Sequence, residues 1–299
     1  MSAPFQAVTF HDLSDSSELP AELFKRTEAD LSFFTERVAP IIAAVRTEGD
    51  AALRRFARDF DGVTAPHMSI LAEDTEFETA FERLDPQVVE SIRFAVENVR
   101  AFHEAQKPED MWMKEIRPGA FAGDRHVPID SVACYVPRGK GSFPSVLLMT
   151  TIPAVVAGVK RAIVITPPGP DGKVDDATLV AARLVGITEV YKCGGAQGVA
   201  AVAFGTETVP KCLKIVGPGS PWGVAAKRQL SNLIAPGIPA GPSESLILAD
   251  DTVDGALAAL DLIIESEHGP DSSAYLVTSS RRVAEQALAP LPGYSAQRD

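Results

Sequence analysis

The sequence predicts an α/β protein built on parallel sheets, and three observations carry that expectation. Short apolar runs rich in β-branched residues recur from residue 130 onward. Stretches of helical composition separate them, and glycine clusters stand where the runs end. Strands that are apolar on both faces and alternate with helices require right-handed crossovers and a helical cover on each side of the sheet.

Residues 21–110 read as helical. Asp85-Pro86 is a helix start, since Asp caps free N–H groups and Pro fits the first turn. Val88, Ile92, Ala95, Val99 and Phe102 then recur at helical spacing along one face. A second start at Asp50 precedes Ala51, Ala52, Leu53, Phe56 and Phe60. These helices form a layer that must pack onto something else. Strands are expected at 132–136, 162–166, 189–193, 213–216, 245–249 and 274–278. Helices are expected between them at 145–159, 175–185, 197–204, 221–230 and 253–267. The tail from 290 to 299 has no periodic pattern.

With 299 residues the chain exceeds a typical single domain, so two packed domains are expected. A net charge of -12 argues against a nucleic-acid surface, which needs clustered Lys and Arg. The acidic N-terminus has no apolar segment of the kind a secretory signal carries. The longest apolar stretch, 146–159, is broken by Thr150, Thr151 and Pro153 and falls short of the roughly 20 residues that span a bilayer. Three cysteines, Cys134, Cys193 and Cys212, are too few for a disulfide framework and form no C-x-x-C pair. A cytoplasmic protein with buried, reduced thiols is expected, with neither nucleic acid nor membrane as a partner.

Four glycine clusters lie at strand-to-helix junctions: 138–141, 194–198, 217–220 and 240–243. In an open α/β sheet ligands bind at the carboxyl ends of strands, where helix N-termini offer free N–H groups. Any one cluster reads equally well as a tight turn. Recurrence at four strand ends favours a binding edge that suits a pyrophosphate. Gly217, Gly219 and Gly223 do not reproduce the dinucleotide G-x-G-x-x-G spacing.

Glu265 and His268 are three apart at a helix end, which places them on one face, close enough to share a metal ion. The same pair is also what a helix C-terminus favours, a histidine near the negative dipole end with a carboxylate beside it. Cys193 sits at a strand end beside two glycines as a nucleophile could, or as a small buried thiol does. His11, His67, His103 and His126 have no ligand-like spacing and read as structural or surface residues.

Taken in order, the motifs resemble the histidinol dehydrogenase family. The matching stretches begin with Tyr135-Val136-Pro137, Gly139-Lys140, Ile152-Pro153-Ala154 and Thr166-Pro167-Pro168. They continue through Gly194-Gly195-Ala196-Gln197, Phe204-Gly205-Thr206-Glu207-Thr208, Lys214-Ile215-Val216-Gly217-Pro218-Gly219 and Ala226-Lys227-Arg228. Ala240-Gly241-Pro242-Ser243-Glu244 and Glu267-His268-Gly269-Pro270-Asp271 complete the set.

The resemblance implies two Rossmann-like parallel-sheet domains with an N-terminal helical layer. One would comprise 1–129 with 243–299 and carry a partial zinc and substrate site. The other, 130–242, would be an inserted NAD-binding domain. It also implies oxidation of L-histidinol to L-histidine through the aldehyde, with NAD and one zinc ion, in a homodimer. By similarity Tyr135, Gln197 and Ser220 would contact NAD. Ser243, Glu265 and His268 would contact the amino-alcohol substrate, and Glu265 with His268 would bind zinc.

The chain departs from the family pattern at several points. Glu265 stands where the family usually has glutamine, which adds negative charge to a zinc site. Ser220 stands for an NAD-contacting asparagine and is followed by an unusual Pro221-Trp222. Arg138 replaces a common glycine. No histidine follows His268, so the family's Glu-His base and its remaining zinc ligands have no counterpart up to residue 299. No catalytic residue is therefore assigned, and a C-terminally truncated member is expected. Three further readings stay open: an NAD-dependent dehydrogenase of another polar alcohol such as a sulfonated diol, a non-catalytic NAD-binding paralogue, and a Cys193-dependent aldehyde dehydrogenase.

Overall fold

The structure, a computed structural model, describes residues 8–14, 18–19, 31–138, 141–238, 244–266 and 272–290. They form two compact units, residues 30–240 and residues 1–29 with 241–299.

The larger unit opens with four helices: α1 (Ser32–Glu48), α2 (Asp50–Asp61), α3 (Asp74–Arg83) and α4 (Pro86–Gln106). The start of α4 follows the expected chemistry, with the Asp85 carboxylate accepting from the Gln87 N–H at 2.8 Å and Pro86 in the first turn. Its buried face differs from the expected one. Ile92 and Val96 are buried and Val89, Ala95 and Val99 pack beside them, whereas Val88 and Phe102 are exposed. The partner surface, not the helix alone, selects which stripe faces inward.

An antiparallel hairpin follows, β1 (Met111–Arg117) and β2 (Ala120–Arg125), which was not expected from the sequence. Every residue of both strands is exposed, so no in-and-out alternation marked them.

The core of this unit is a five-stranded parallel sheet: β3 (Ser131–Tyr135), β4 (Arg161–Thr166), β5 (Val190–Lys192), β6 (Lys214–Val216) and β7 (Ala235–Pro236). The crossovers are α5 (Pro144–Val156), α6 (Asp176–Val185), α7 (Gly195–Phe204) and α8 (Pro221–Gln229). The spatial order is β5-β4-β3-β6-β7, all parallel. The chain therefore builds outward from β3 on one side, then returns to β6 on the other. That reversal is a topological switch, and in open parallel sheets ligands bind beyond the carboxyl ends of the strands at such a point, here β3 and β6.

Two apolar cores cover the sheet. On one face α5 and α6 pack with α3 and α4 around Leu147, Ile152, Leu179 and Val164. On the other α7 and α8 pack with α1 and α2 around Val38, Leu53, Ile165 and Val199. The N-terminal helical layer is thus divided between both faces of this sheet. Among the described residues, α1–α4 share their cores with the sheet of 131–236.

Loop ties fix these layers. The Asp50 carboxylate, buried at the start of α2, accepts from Thr206 Oγ1 at 2.6 Å and from the Thr208 N–H at 3.2 Å. Lys192, at the end of β5, pairs with Glu76 of α3 at 2.5 Å, both side chains nearly buried.

The smaller unit contains β8 (Glu244–Ala249), α9 (Gly255–Ser266), β9 (Ser273–Thr278) and α10 (Arg281–Leu288). β8 and β9 pair in parallel from Glu244↔Ser273 to Ala249↔Thr278. Unlike β3–β5, β8 is not buried on both faces: Leu246 and Leu248 are exposed. Arg281 of α10 pairs with Asp12 and lies over the Phe10 ring. Among the described residues no helix is long and apolar enough to cross a membrane.

Candidate functional site

The crevice at the β3–β6 switch gathers several of the expected cofactor residues. Tyr135 ends β3, is buried, and its phenol oxygen accepts from the Gly195 N–H at 3.1 Å. Burial pushes that phenol above its ordinary value, against the hydrogen bond from Gly195. Gly195 opens α7 with φ 54°, a conformation that disfavours a side chain. Gln197, in the same turn, is buried and folds its amide back over the Gly195 α-carbon. Tyr135 and Gln197 are therefore brought to one place, through Gly195.

The β6 side of the crevice is the turn Gly217-Pro218-Gly219-Ser220. Gly217 has φ 108°, and a Cβ there would collide with the Tyr135 carbonyl oxygen. Only glycine lets the two strand ends lie this close. The turn delivers Ser220 to the N-cap of α8, where it is exposed and makes no side-chain bond to its own helix. Its hydroxyl is thus not consumed by capping. The neighbouring Trp222 has a packing role, edge-on to Phe34 of α1 with centroids 5.2 Å apart.

Three charged groups near this crevice were given no role from the sequence. Lys227 of α8 donates from Nζ to the Gly217 carbonyl at 2.6 Å and stands 5.6 Å from the Tyr135 ring centroid. Burial brings its ammonium down to about 8. Asp61, the last residue of α2, has its carboxyl pushed up to about 6 by burial, with the Arg138 charge opposing. Its charge in turn raises Tyr135 and Cys193, so it faces the same end of the sheet. Arg138 donates to the Lys173 carbonyl at 3.0 Å and lies over Gly169, bridging the loops after β3 and β4. For Lys227 the signal was available, a lysine two turns into the helix that follows a Gly-Pro-Gly turn. Asp61 lies far from the crevice in sequence and carried none.

Cys193 does not have the setting of a nucleophile. It is buried, and burial raises its thiol far above the ordinary value, with Asp61 and Asp50 adding to the rise. Cys134 is pushed up to about 12 and Cys212 to about 11, in both cases chiefly by burial. The small buried thiol reading holds for all three.

Of the expected metal and substrate residues, Glu265 lies half-buried in the last turn of α9. Ser243 and His268 lie outside the described residues. Among the described residues no group of three His, Cys, Asp or Glu side chains converges as a metal site requires. Glu265 alone gives no test of fit to zinc, so no chemical step is assigned through a metal.

The histidinol dehydrogenase family profile matches residues 24–297. The chain belongs to the histidinol dehydrogenase family. Two relatives within it are "Histidinol dehydrogenase homolog 2" of Mesorhizobium japonicum and "Histidinol dehydrogenase" of Synechocystis. The first is 64% identical over 286 residues, 95% of this chain and 65% of that protein. The second is 46% identical over 273 residues, 91% of this chain and 63% of that protein. The crystal structure of histidinol dehydrogenase from Elizabethkingia anophelis superposes with a TM-score of 0.86 at 33% identity, covering 93% of this chain and 64% of that one. The chain thus spans less than two-thirds of the length of the histidinol dehydrogenase relatives it matches.

Proposed function

We propose that the complete protein is an NAD-linked, zinc-dependent alcohol dehydrogenase, with oxidation of L-histidinol through the aldehyde to L-histidine as its leading reaction. The observation that carries the cofactor is the set of residues that meet at the switch point. Tyr135, Gly195, Gln197 and the Gly217–Ser220 turn form a glycine-lined cradle at the switch point of a parallel sheet. Side chains are excluded there by backbone geometry, which leaves room for a dinucleotide to approach main-chain N–H groups. When bound, NAD would supply the hydride acceptor and zinc would supply Lewis acidity. Within this reading Tyr135 and Gln197 orient the cofactor, Ser220 offers it a hydroxyl, and Ser243, Glu265 and His268 serve the substrate side. In this reading residues 130–242 carry the NAD site. A cytoplasmic homodimer is the expected assembly.

A second reading is favoured by one comparison. The relative named a homolog is 64% identical, whereas the one named histidinol dehydrogenase itself is 46% identical. With Glu265 and Ser220 in place of the usual glutamine and asparagine, this supports another polar alcohol, such as a sulfonated diol, as substrate.

The test is turnover by the complete protein, loaded with zinc and NAD and followed by NADH absorbance, on L-histidinol and on a sulfonated diol. Activity on L-histidinol supports the first reading. Activity confined to the diol supports the second, and absence of NAD binding by calorimetry removes both.

A further inference from the structure

We infer that Lys227 is a cofactor-facing cation: its ammonium clamps the Gly217 turn against Tyr135 and presents positive charge to the pyrophosphate of a bound dinucleotide. The inference rests on the NAD reading above and deepens it, because that reading assigns Lys227 nothing.

Position comes first. β3 and β6 pair side by side, the helices that follow them pack on opposite faces of the sheet, and Lys227 stands at the strand ends where the two connections part. It donates to the Gly217 carbonyl at 2.6 Å and approaches the Tyr135 ring to 5.6 Å. An ammonium has three N–H donors. One is taken by Gly217, and among the described residues no second protein acceptor is present. Nor does any carboxylate among the described residues pair with it, in a chain whose net charge is -12.

A half-buried ammonium without a counterion is costly, and burial alone brings it down to about 8. If the role were only to hold the Gly217 carbonyl, a neutral donor would serve without that cost. An anion in the crevice gives the charge a purpose. It would meet the open donors of Lys227 together with the N–H groups at the start of α7.

The test compares three ligands on the full chain: NAD, ADP-ribose, which keeps the pyrophosphate, and adenosine, which lacks it. Binding is measured by calorimetry, with NMR titration for the weaker nucleoside. Lys227→Gln keeps an N–H donor for Gly217 and removes the charge. It is expected to weaken NAD and ADP-ribose about tenfold or more, the range of a charge-assisted hydrogen bond, and to leave adenosine within about twofold. Lys227→Arg is expected to restore most of the loss. Equal weakening of all three ligands would show a purely structural clamp and overturn the inference, as would unchanged NAD affinity. Should Lys227→Gln fail to fold, the arginine variant carries the test, and loss of NAD binding in folded Lys227→Arg overturns it. If the unmodified chain binds neither NAD nor ADP-ribose, the cofactor reading itself falls. That result is distinct from a defect confined to the variants.

Discussion

The Tyr135 phenol accepts from the Gly195 N–H at 3.1 Å, so the last residue of β3 holds the first residue of α7. The two lie 60 positions apart in sequence, and their meeting fixes the end of β3 against the start of α7. Tyr135→Phe leaves that N–H without its acceptor. The expected cost is about 1 kcal/mol in denaturant unfolding, the net value of one such bond. NAD affinity, measured by calorimetry, is expected to fall several-fold. Unchanged affinity would separate Tyr135 from the cofactor site.

Asp61 gives a pH signature. Burial pushes its carboxyl from 3.8 to about 6, with the Arg138 charge opposing, and its Oδ2 has no hydrogen-bond partner among the described residues. A folded value above the ordinary one means that the ionised form is penalised in the native state. The stability linked to Asp61 is complete below 3.8 and is lost as pH rises through about 6. Asp61→Asn is expected to raise the melting temperature near neutral pH and to change it little in acid. A pH-independent effect of this substitution would contradict the assignment.

Asp50 should respond in the opposite sense. Burial alone would raise its carboxyl, yet hydrogen bonds from Thr206 and Thr208 and the Arg54 charge outweigh it and hold it below 3.8. Its contribution is therefore present above 3.8 and lost as pH falls through the lower folded value. Asp50→Ala strands the two threonine partners and is expected to cost about 1.5–3 kcal/mol, the value of hydrogen bonds to a charged group. Chemical denaturation at neutral pH measures the cost. An effect that grows on acidification would count against the ionised network.

The Lys192–Glu76 pair tests whether a buried charge or its absence matters more. Lys192→Met leaves Glu76 nearly buried without its cation and is expected to destabilise by about 3–5 kcal/mol. Adding Glu76→Gln removes the stranded charge and should recover much of the loss. A double-mutant cycle gives the coupling. Strict additivity would mean that the pair contributes nothing as a pair.

The cysteines provide a chemical test. Because burial raises all three thiols, none is a thiolate at neutral pH. The native protein is expected to resist a thiol-reactive dye until denatured. Cys193→Ala should leave NAD binding unchanged and cost about 1 kcal/mol through a small cavity. Rapid native labelling of Cys193, or abolished activity in the alanine variant, would restore the aldehyde dehydrogenase reading.

Strands β3–β6 and helices α5–α8 were legible because each is a short β-branched or helix-favouring run bounded by glycine or proline. Asp85-Pro86 marked α4 because capping is local chemistry. The hairpin β1–β2 escaped since both faces are exposed and no alternation exists to detect. β7 is two residues long and contains Pro236, which fits only a sheet edge and gives no periodic signal. α10 was missed, and its start is a Ser280 cap bonded to Val283. Among the site residues, Tyr135, Gln197 and Ser220 were named from motif resemblance, Lys227 went unassigned although it follows the Gly-Pro-Gly turn in the next helix, and Asp61 needed coordinates.

By itself the sequence determined that strands and helices alternate, that glycines sit at their junctions, and which family the motifs resemble. These are local properties, set by periodicity, capping and backbone freedom within a few residues. Tertiary structure alone decided that β6 returns beside β3, that Gly217 abuts Tyr135, and that the Lys227 ammonium bonds the Gly217 carbonyl near the Tyr135 ring. Such facts depend on strand order and burial, which join residues tens of positions apart and leave no trace in the spacing of neighbours.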